Sequence, residues 1–366
     1  MTPLQRLHRR MIMLDGFEAK LNPKQLNPEQ ASRLAAYLEA MERFAASLPA
    51  DHLVDGDAQL DTALPAPPPK QLSVTQRRLI EAAGREEDGE LLFQHTVLCQ
   101  TSMPYRDPGD DVREWARVNG TVHLEIIAGK AMHPELERFV PIGLPFGPKP
   151  RLVLMHLNAE AVRTGSPVIE VEGSLRSFVK RLKLDPKGRN IGTIKDQLGR
   201  LSASSIRLGT VKDGRAVTVN SQVITAFDLW FPRDDRQRVL WPTTIRLSSE
   251  YFESLLTSAV PLSEPAIRGL SHSAMALDVY SWLAQRLHRI DPAKPQFIPW
   301  TALKGQFGDG YGRIRDFRAV FLRTLRQVNA VYPDAKIVEE LGSSGRPRGL
   351  MLKFSPSPIP KLMISV

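Results

Sequence analysis

Residues 297–331, FIPWTALKGQFGDGYGRIRDFRAVFLRTLRQVNAV, contain the signals of a strand, two helices and a turn. FIPW predicts a short strand, TALKGQFG a short helix, and the glycines of DGYG a turn. A long helix is predicted from about 312 to 331, because apolar residues recur there at helical spacing around Phe317. The strand signals AKIVEEL and LMLKF follow, on either side of the loop GSSGRPRG at 342–349.

The same order of elements occurs earlier in the chain. The helix RLVLMHLNAEAVRTG is followed by the strand VIEV at 168–171, the helix SLRSFVKRLKL at 174–184, the turn DPKGRN and a helix from about 191 to 203. The strand signals SSIRLG and AVTVN come next, and VITAFDLWF and RVLWPTTIRLS predict a longer hairpin around DDRQ. The later unit also starts with an amphipathic helix, HSAMALDVYSWLAQRLHRI, capped by Ser271 or Ser273.

This repeated order, helix, short strand, helix, turn, helix and two-stranded ribbon, is typical of a winged helix. The sequence therefore predicts an α+β protein with two tandem winged-helix domains and an N-terminal helical extension. The extension spans 1–70 and ends in the proline-rich linker ALPAPPPKQL. The first winged-helix domain spans 71–262, with a helix at 74–87 and the preceding strands LLFQHTVLCQ and TVHLEIIAG, and the second spans 263–366.

The composition is that of a cytoplasmic globular protein. The chain has 366 residues, 42% of them hydrophobic, which is enough for sizeable cores without a metal or disulfide. Its one cysteine, Cys99, allows no disulfide within the chain and is predicted to be a small buried hydrophobe. No apolar run approaches the ~20 residues of a membrane span, and the first residues do not make a convincing signal peptide.

The positive charge is concentrated near the C-terminus. The whole chain carries a net charge of +9, and residues 268–361 contain 15 Lys and Arg against 7 Asp and Glu. Such a distribution favours a polyanionic partner, and we expect double-stranded DNA.

The helix predicted at 312–331 has a basic polar face on which Asp316 is the sole acid. We expect this helix to bind the major groove, since arginine donates paired N–H groups to guanine and phosphate. Arg315 and Arg318 are predicted to read bases. The alternative is a solvated basic face. The predicted DNA-binding residues of the helix are Arg313, Arg315, Arg318, Arg323 and Arg326.

Two further surfaces are predicted to contact DNA. The loop at 342–349 is the wing of the second unit, and its Arg346 and Arg348 are expected to hold the DNA backbone; the alternative is a flexible hairpin tip. In the first unit Arg189, Lys195 and Arg200 are expected to form a weaker DNA contact. A protein–protein surface is the alternative there.

The motifs of several enzymes are missing from the sequence. There is no G-x-x-x-x-G-K-[ST] phosphate loop, no His-hydrophobic-His motif of an origin nickase, and no convincing pairing among the eight histidines. We therefore expect no catalytic residue, no metal and no cofactor.

Three stretches resemble plasmid-encoded RepA-type replication initiators. They are SMPYRDP with VREWARVNGTVHLEIIAG, then LPFGPKPRLVLMHLNAEAVRTGSPVIEV, and then SLRSFVKRLKL with IGTIKDQLGRLSASSI. The resemblance covers about 75–355 and is most specific at 143–206.

The resemblance implies a protein that binds repeated sequences, iterons, at a plasmid origin. It also implies help in opening the duplex and in recruiting host initiator and helicase proteins, and it leaves homodimer formation open. The C-terminal winged helix would be the main reader of sequence, which corresponds here to 313–326. A winged-helix transcriptional regulator, including an autorepressor, is the alternative function.

Overall fold

The computed structural model describes residues 90–133, 136–212, 215–226, 244–343 and 345–359. The extension predicted at 1–70, the helix predicted at 74–87 and the tip of the DDRQ hairpin lie outside these residues. The described part contains helices together with antiparallel sheets, as expected for an α+β protein.

The described strands are β1 (Leu91–His95), β2 (Glu114–Asn119), β3 (Val122–Ile127), β4 (Lys130–His133), β5 (Arg138–Pro141), β6 (Val168–Glu170), β7 (Ser205–Lys212), β8 (Arg215–Ser221), β9 (Ile224–Ala226), β10 (Thr244–Leu247), β11 (Ala259–Ser263), β12 (Gln296–Pro299), β13 (Ile337–Leu341) and β14 (Pro347–Leu352). The described α-helices are α1 (Thr96–Gln100), α2 (Pro148–Thr164), α3 (Leu175–Arg181), α4 (Gly188–Ala203), α5 (Ser249–Ser258), α6 (Glu264–Leu270), α7 (Ala274–Arg286), α8 (Trp300–Phe307) and α9 (Ile314–Val331). A 3-10 turn, Leu287–Arg289, extends α7.

A small three-stranded sheet occurs twice with the same strand order. β6 pairs with β10, which pairs with β9; in the same way β12 pairs with β14, which pairs with β13. In both units two helices lie between the first strand and the ribbon that follows. The repeat seen in the sequence is therefore a repeat of topology.

The first ribbon after α4 does not belong to this repeated sheet. β7 and β8 instead extend the hairpin β2–β3 into a four-stranded antiparallel sheet. The register places Leu124 opposite Leu208 and Ile126 opposite Ile206, and these side chains are buried. Burial of this apolar face explains the pairing. The ribbon of the first repeat is thus β9–β10.

The stretch LLFQHTVLCQ is not one strand, as predicted, but a strand followed by a helix. The imidazole Nδ1 of His95 accepts the backbone N–H of Val97 at 3.2 Å and so caps α1. Cys99, in this helix, is buried as predicted.

Three elements between the two units, α5, β11 and α6, were not predicted. β11 pairs antiparallel with β1, so the segments before and after the first unit form one two-stranded sheet. The domain boundary predicted after residue 262 falls within β11. None of the helices in the described ranges is long and apolar enough to cross a membrane.

Candidate nucleic-acid interface

α9 has an apolar inner face that fixes it to the core. Phe317, Phe321, Leu325 and Val328 are at most 1% exposed. The indole of Trp300 in α8 packs edge-on against the rings of Phe317 and Phe321, with centroids 6.3 and 5.9 Å apart. The helix is therefore held rigidly, while its opposite face is open to solvent.

The outer face of α9 and the N-cap residue before it, Arg313, present four exposed arginines. The side chains of Arg313 and Arg315 are 76% and 80% exposed, and Arg323 and Arg326 are exposed as well. Asp316 lies 3.6 Å from Nε of Arg313 and 3.5 Å from Nε of Arg315. These contacts are solvent-exposed and contribute little, so both guanidinium groups can exchange the carboxylate for another anion.

Arg318 does not lie on this open face. Its Nε and Nη2 donate to the carboxylate of Glu339 in β13, at 2.5 and 2.7 Å, and its side chain is 30% exposed. Hydrogen bonding to Glu339 raises the pKa of Arg318. This residue therefore ties α9 to the ribbon, and its contact with bases stays a prediction. A helical wheel could not show the link to Glu339, because this partner comes from a later strand.

The second ribbon places its two arginines differently. Arg346 is exposed in the loop between β13 and β14, where its carbonyl accepts the N–H of Gly342 at 2.8 Å. Gly345 has a φ of +70°, a left-handed conformation that favours glycine in this turn. Arg348 was expected in the flexible loop but lies in β14, with its guanidinium 5.3 Å from the centre of the Phe297 ring.

The three predicted DNA-binding residues of the first unit differ in exposure. On α4, Arg189 is exposed and Lys195 is half-exposed. Arg200, in contrast, is 14% exposed, donates to Asp196 at 3.1 Å and to the carbonyl of Leu144 at 3.2 Å, and lies over the Phe146 ring. Arg200 is held by these contacts within the protein, and its contact with DNA stays a prediction.

A buried ion pair that the sequence reasoning missed joins the first helices of the two units. Arg151 of α2 donates through Nε and Nη2 to the carboxylate of Asp278 in α7, at 2.6 and 2.8 Å. The side chains are 1% and 7% exposed. Burial raises the pKa of Asp278, an effect that the Arg151 guanidinium opposes. The sequence signal that could have revealed this ion pair is a charged residue of opposite sign within each of two mostly apolar helices.

The buried Cys99 and His95 have pKa values shifted by burial. The described part of the chain contains no cluster of three or more His, Cys, Asp or Glu side chains that could hold a metal ion. Burial raises the pKa of Cys99, which is the opposite of what a reactive thiolate needs. Burial also lowers the pKa of His95 to about 4, so its ring is neutral and serves as a helix cap.

Two helices and a ribbon with an exposed arginine face define a candidate double-stranded DNA-binding surface. Residues 144–302 match the family model described as plasmid encoded RepA protein. This region is therefore similar to plasmid encoded RepA proteins. It covers the first unit and α7 but ends within α8, before the arginine face of α9.

The other comparisons found distant structures and no curated relative. The chain is similar to a crystal structure of a selenomethionine derivative of domains 2 and 3 of RctB, with 11% identity and a TM-score of 0.44, covering 69% of this chain and 95% of that one. A second crystal structure of RctB domains 2–3 gives 12% identity and a TM-score of 0.44, covering 71% and 97%. No curated protein matches the chain.

Proposed function

We propose that this chain is a plasmid replication initiator that binds double-stranded repeats, iterons, at an origin. The match of residues 144–302 to plasmid encoded RepA proteins supports the replication role. The observation that carries the DNA-binding role is the exposed arginine face of α9. The protein acts in the cytoplasm, without catalysis, metal or cofactor.

Both units are winged helices in this proposal. In each one, two helices lie between a short strand and a ribbon, and the strand pairs with the last strand of the ribbon. This is the arrangement in which a second helix enters the major groove and a ribbon lies beside it. β9–β10 is the wing of the first unit and β13–β14 the wing of the second.

The contacts follow from how each side chain is held. Arg315 stands on the first turn of α9, the end of a recognition helix that enters the groove most deeply, and reads bases there. Arg313, Arg323 and Arg326 contact phosphates along the groove. Arg346 on the wing contacts the DNA backbone, and Arg348 supports this contact. In the first unit, Arg189 and Lys195 supply further backbone contacts.

Binding at the repeats would help open the adjacent duplex and bring in host initiator and helicase proteins. Two copies of the chain would form a homodimer in one of its functional states. A transcriptional regulator would use the same surface, so DNA binding alone does not separate the two functions.

A replication test separates them. A plasmid carrying this gene and its flanking DNA is introduced into a host with no other initiator for it, and its copy number is measured. We expect maintenance with the wild-type gene and loss with Arg315→Gln combined with Arg326→Gln. Arg163→Gln is the matched control, since Arg163 is 64% exposed on the last turn of α2. Repression of the gene without replication would favour the regulator.

A further inference from the structure

An open cleft lies beside the start of α9, between β2 of the four-stranded sheet and the α8 helix with the turn that follows it. It has a volume of about 440 Å³ and is lined by Arg117 of β2, Lys304 of α8 and the turn 308–312. The cleft thus brings a strand of the four-stranded sheet next to the helix-turn-helix of the second unit.

The Arg117 guanidinium is positioned before any ligand arrives. It lies 3.6 Å from the centre of the Trp115 ring, and Nη1 donates to the carbonyl of Ala116 at 2.8 Å. The Trp115 indole N–H in turn donates to the carbonyl of Ser102 at 2.8 Å. Because the arginine is stacked and hydrogen-bonded, it loses little conformational freedom when it binds an anion.

The guanidinium of Arg117 already forms an ion pair with the Asp309 carboxylate. Nη2 of Arg117 lies 2.5 Å from Oδ1 of Asp309, whose side chain is 45% exposed. An incoming phosphate can replace the carboxylate at small cost, because Asp309 remains solvated after the exchange.

The glycines leave the cleft wall open. A Cβ added at Gly305, Gly310 or Gly312 would meet no atom within 4 Å, and Gly310 has a φ of +78°. Backbone N–H groups without side chains can approach a phosphate closely. The Lys304 side chain lies against Gly308, where an added Cβ would come 2.6 Å from its Cγ, and it brings a second positive charge to the cleft.

We propose that this cleft binds a backbone phosphate of the DNA duplex read by α9. Arg117 and Lys304 hold the phosphate, and Asp309 competes with it for Arg117. The site anchors α9 in the groove and lets the four-stranded sheet take part in DNA binding. This inference rests on the proposed function, since the phosphate belongs to the same duplex.

The test uses the full chain and a random-sequence duplex about two helical turns long, because a phosphate contact does not depend on sequence. Arg117→Gln should weaken binding roughly five- to tenfold. It should also make the fall of log K with log salt less steep, by about 0.9 in slope. Asp309→Asn should tighten binding roughly two- to fivefold, because it removes the competing charge. Arg207→Gln is the control: Arg207 of β7 pairs with Glu125 of β3 in the same sheet as Arg117, and it does not line the cleft.

The two substitutions should change the affinity for duplex in opposite directions, which distinguishes a phosphate site from a contact that only joins the two units. If the Arg117–Asp309 pair only joined the two units, both substitutions would weaken binding together, and that result would overturn the proposal. Unchanged affinity in Arg117→Gln, with a wild-type chain that binds duplex, would overturn it and leave the proposed function standing. A wild-type chain that binds no duplex would overturn both. Arg117-dependent binding of inorganic phosphate, with duplex affinity unaffected, would assign the cleft to a free phosphate and reject DNA.

Discussion

Arg315 and Arg346 differ in how firmly the fold holds them, and this predicts different effects on DNA binding. Arg315 projects from a rigid helix, whereas Arg346 lies in a glycine-containing loop. Arg315→Ala should cost about 1–3 kcal/mol on the iteron and relax preference at one or two base positions. Arg346→Ala should weaken iteron and random duplex equally and flatten the salt dependence. Both variants are titrated against the iteron, its single-base variants and random duplex; equal losses on every duplex would exclude α9 as the reader.

His95 makes stability depend on pH. Burial lowers its folded-state pKa from 6.5 to about 4, so on acidification the unfolded chain takes up a proton first. The contribution of His95 to the free energy of unfolding is therefore unchanged above pH 6.5, and the free energy of unfolding falls as the pH is lowered toward 4. Between pH 7 and pH 5 the loss from this residue should be about 2 kcal/mol. His95→Asn can still cap α1 and should show a smaller loss in urea unfolding. The same acid dependence in both proteins would contradict this origin.

The sequence identified the arginines but could not tell which of them are free. A helical wheel compares residues of one helix, and on that basis Arg315 and Arg318 look alike. Glu339, which holds Arg318, and Leu144 and Phe146, which hold Arg200, come from distant parts of the chain. Contacts of this kind depend on tertiary packing, which periodicity does not encode.

The Arg318–Glu339 pair links α9 to the β13–β14 ribbon. Arg318→Ala should lower the free energy of unfolding by roughly 1–2 kcal/mol, because a bidentate, half-buried contact is lost. Base preference should stay unchanged, since Arg318 faces the ribbon. Chemical denaturation measures the first effect and titration against single-base variants the second. A changed base preference with unchanged stability would place Arg318 on the reading surface.

Helices with a strong apolar stripe were predictable, whereas strand partners were not. The helix predicted at 312–331 begins at Ile314 in the structure, and α7 is capped by Ser273, one of the two serines proposed. In contrast, the pairing of β7 with β3 buries apolar side chains from two segments that are far apart in the sequence. The repeated order of elements was visible, but which ribbon completes the first unit was not.

At the scale of the whole molecule, the Arg151–Asp278 pair joins the two units. Arg151→Met alone or Asp278→Leu alone should cost about 3–5 kcal/mol, because each leaves a buried charge unpaired. The double variant should cost less than the sum of the two, because it leaves neither charge behind. Urea unfolding of all four proteins gives the coupling energy. Additive losses would show that the two side chains act independently.

Footprinting on the origin region of the plasmid that carries this gene tests whether the chain binds repeats there through both units. If both units bind one face of the duplex, repeated sites should be protected over about two turns of the major groove. Protection should weaken steeply as salt rises, because several phosphates are contacted. No protection at repeats, or a protected region shorter than roughly 12 base pairs, would contradict an initiator that binds with two winged helices.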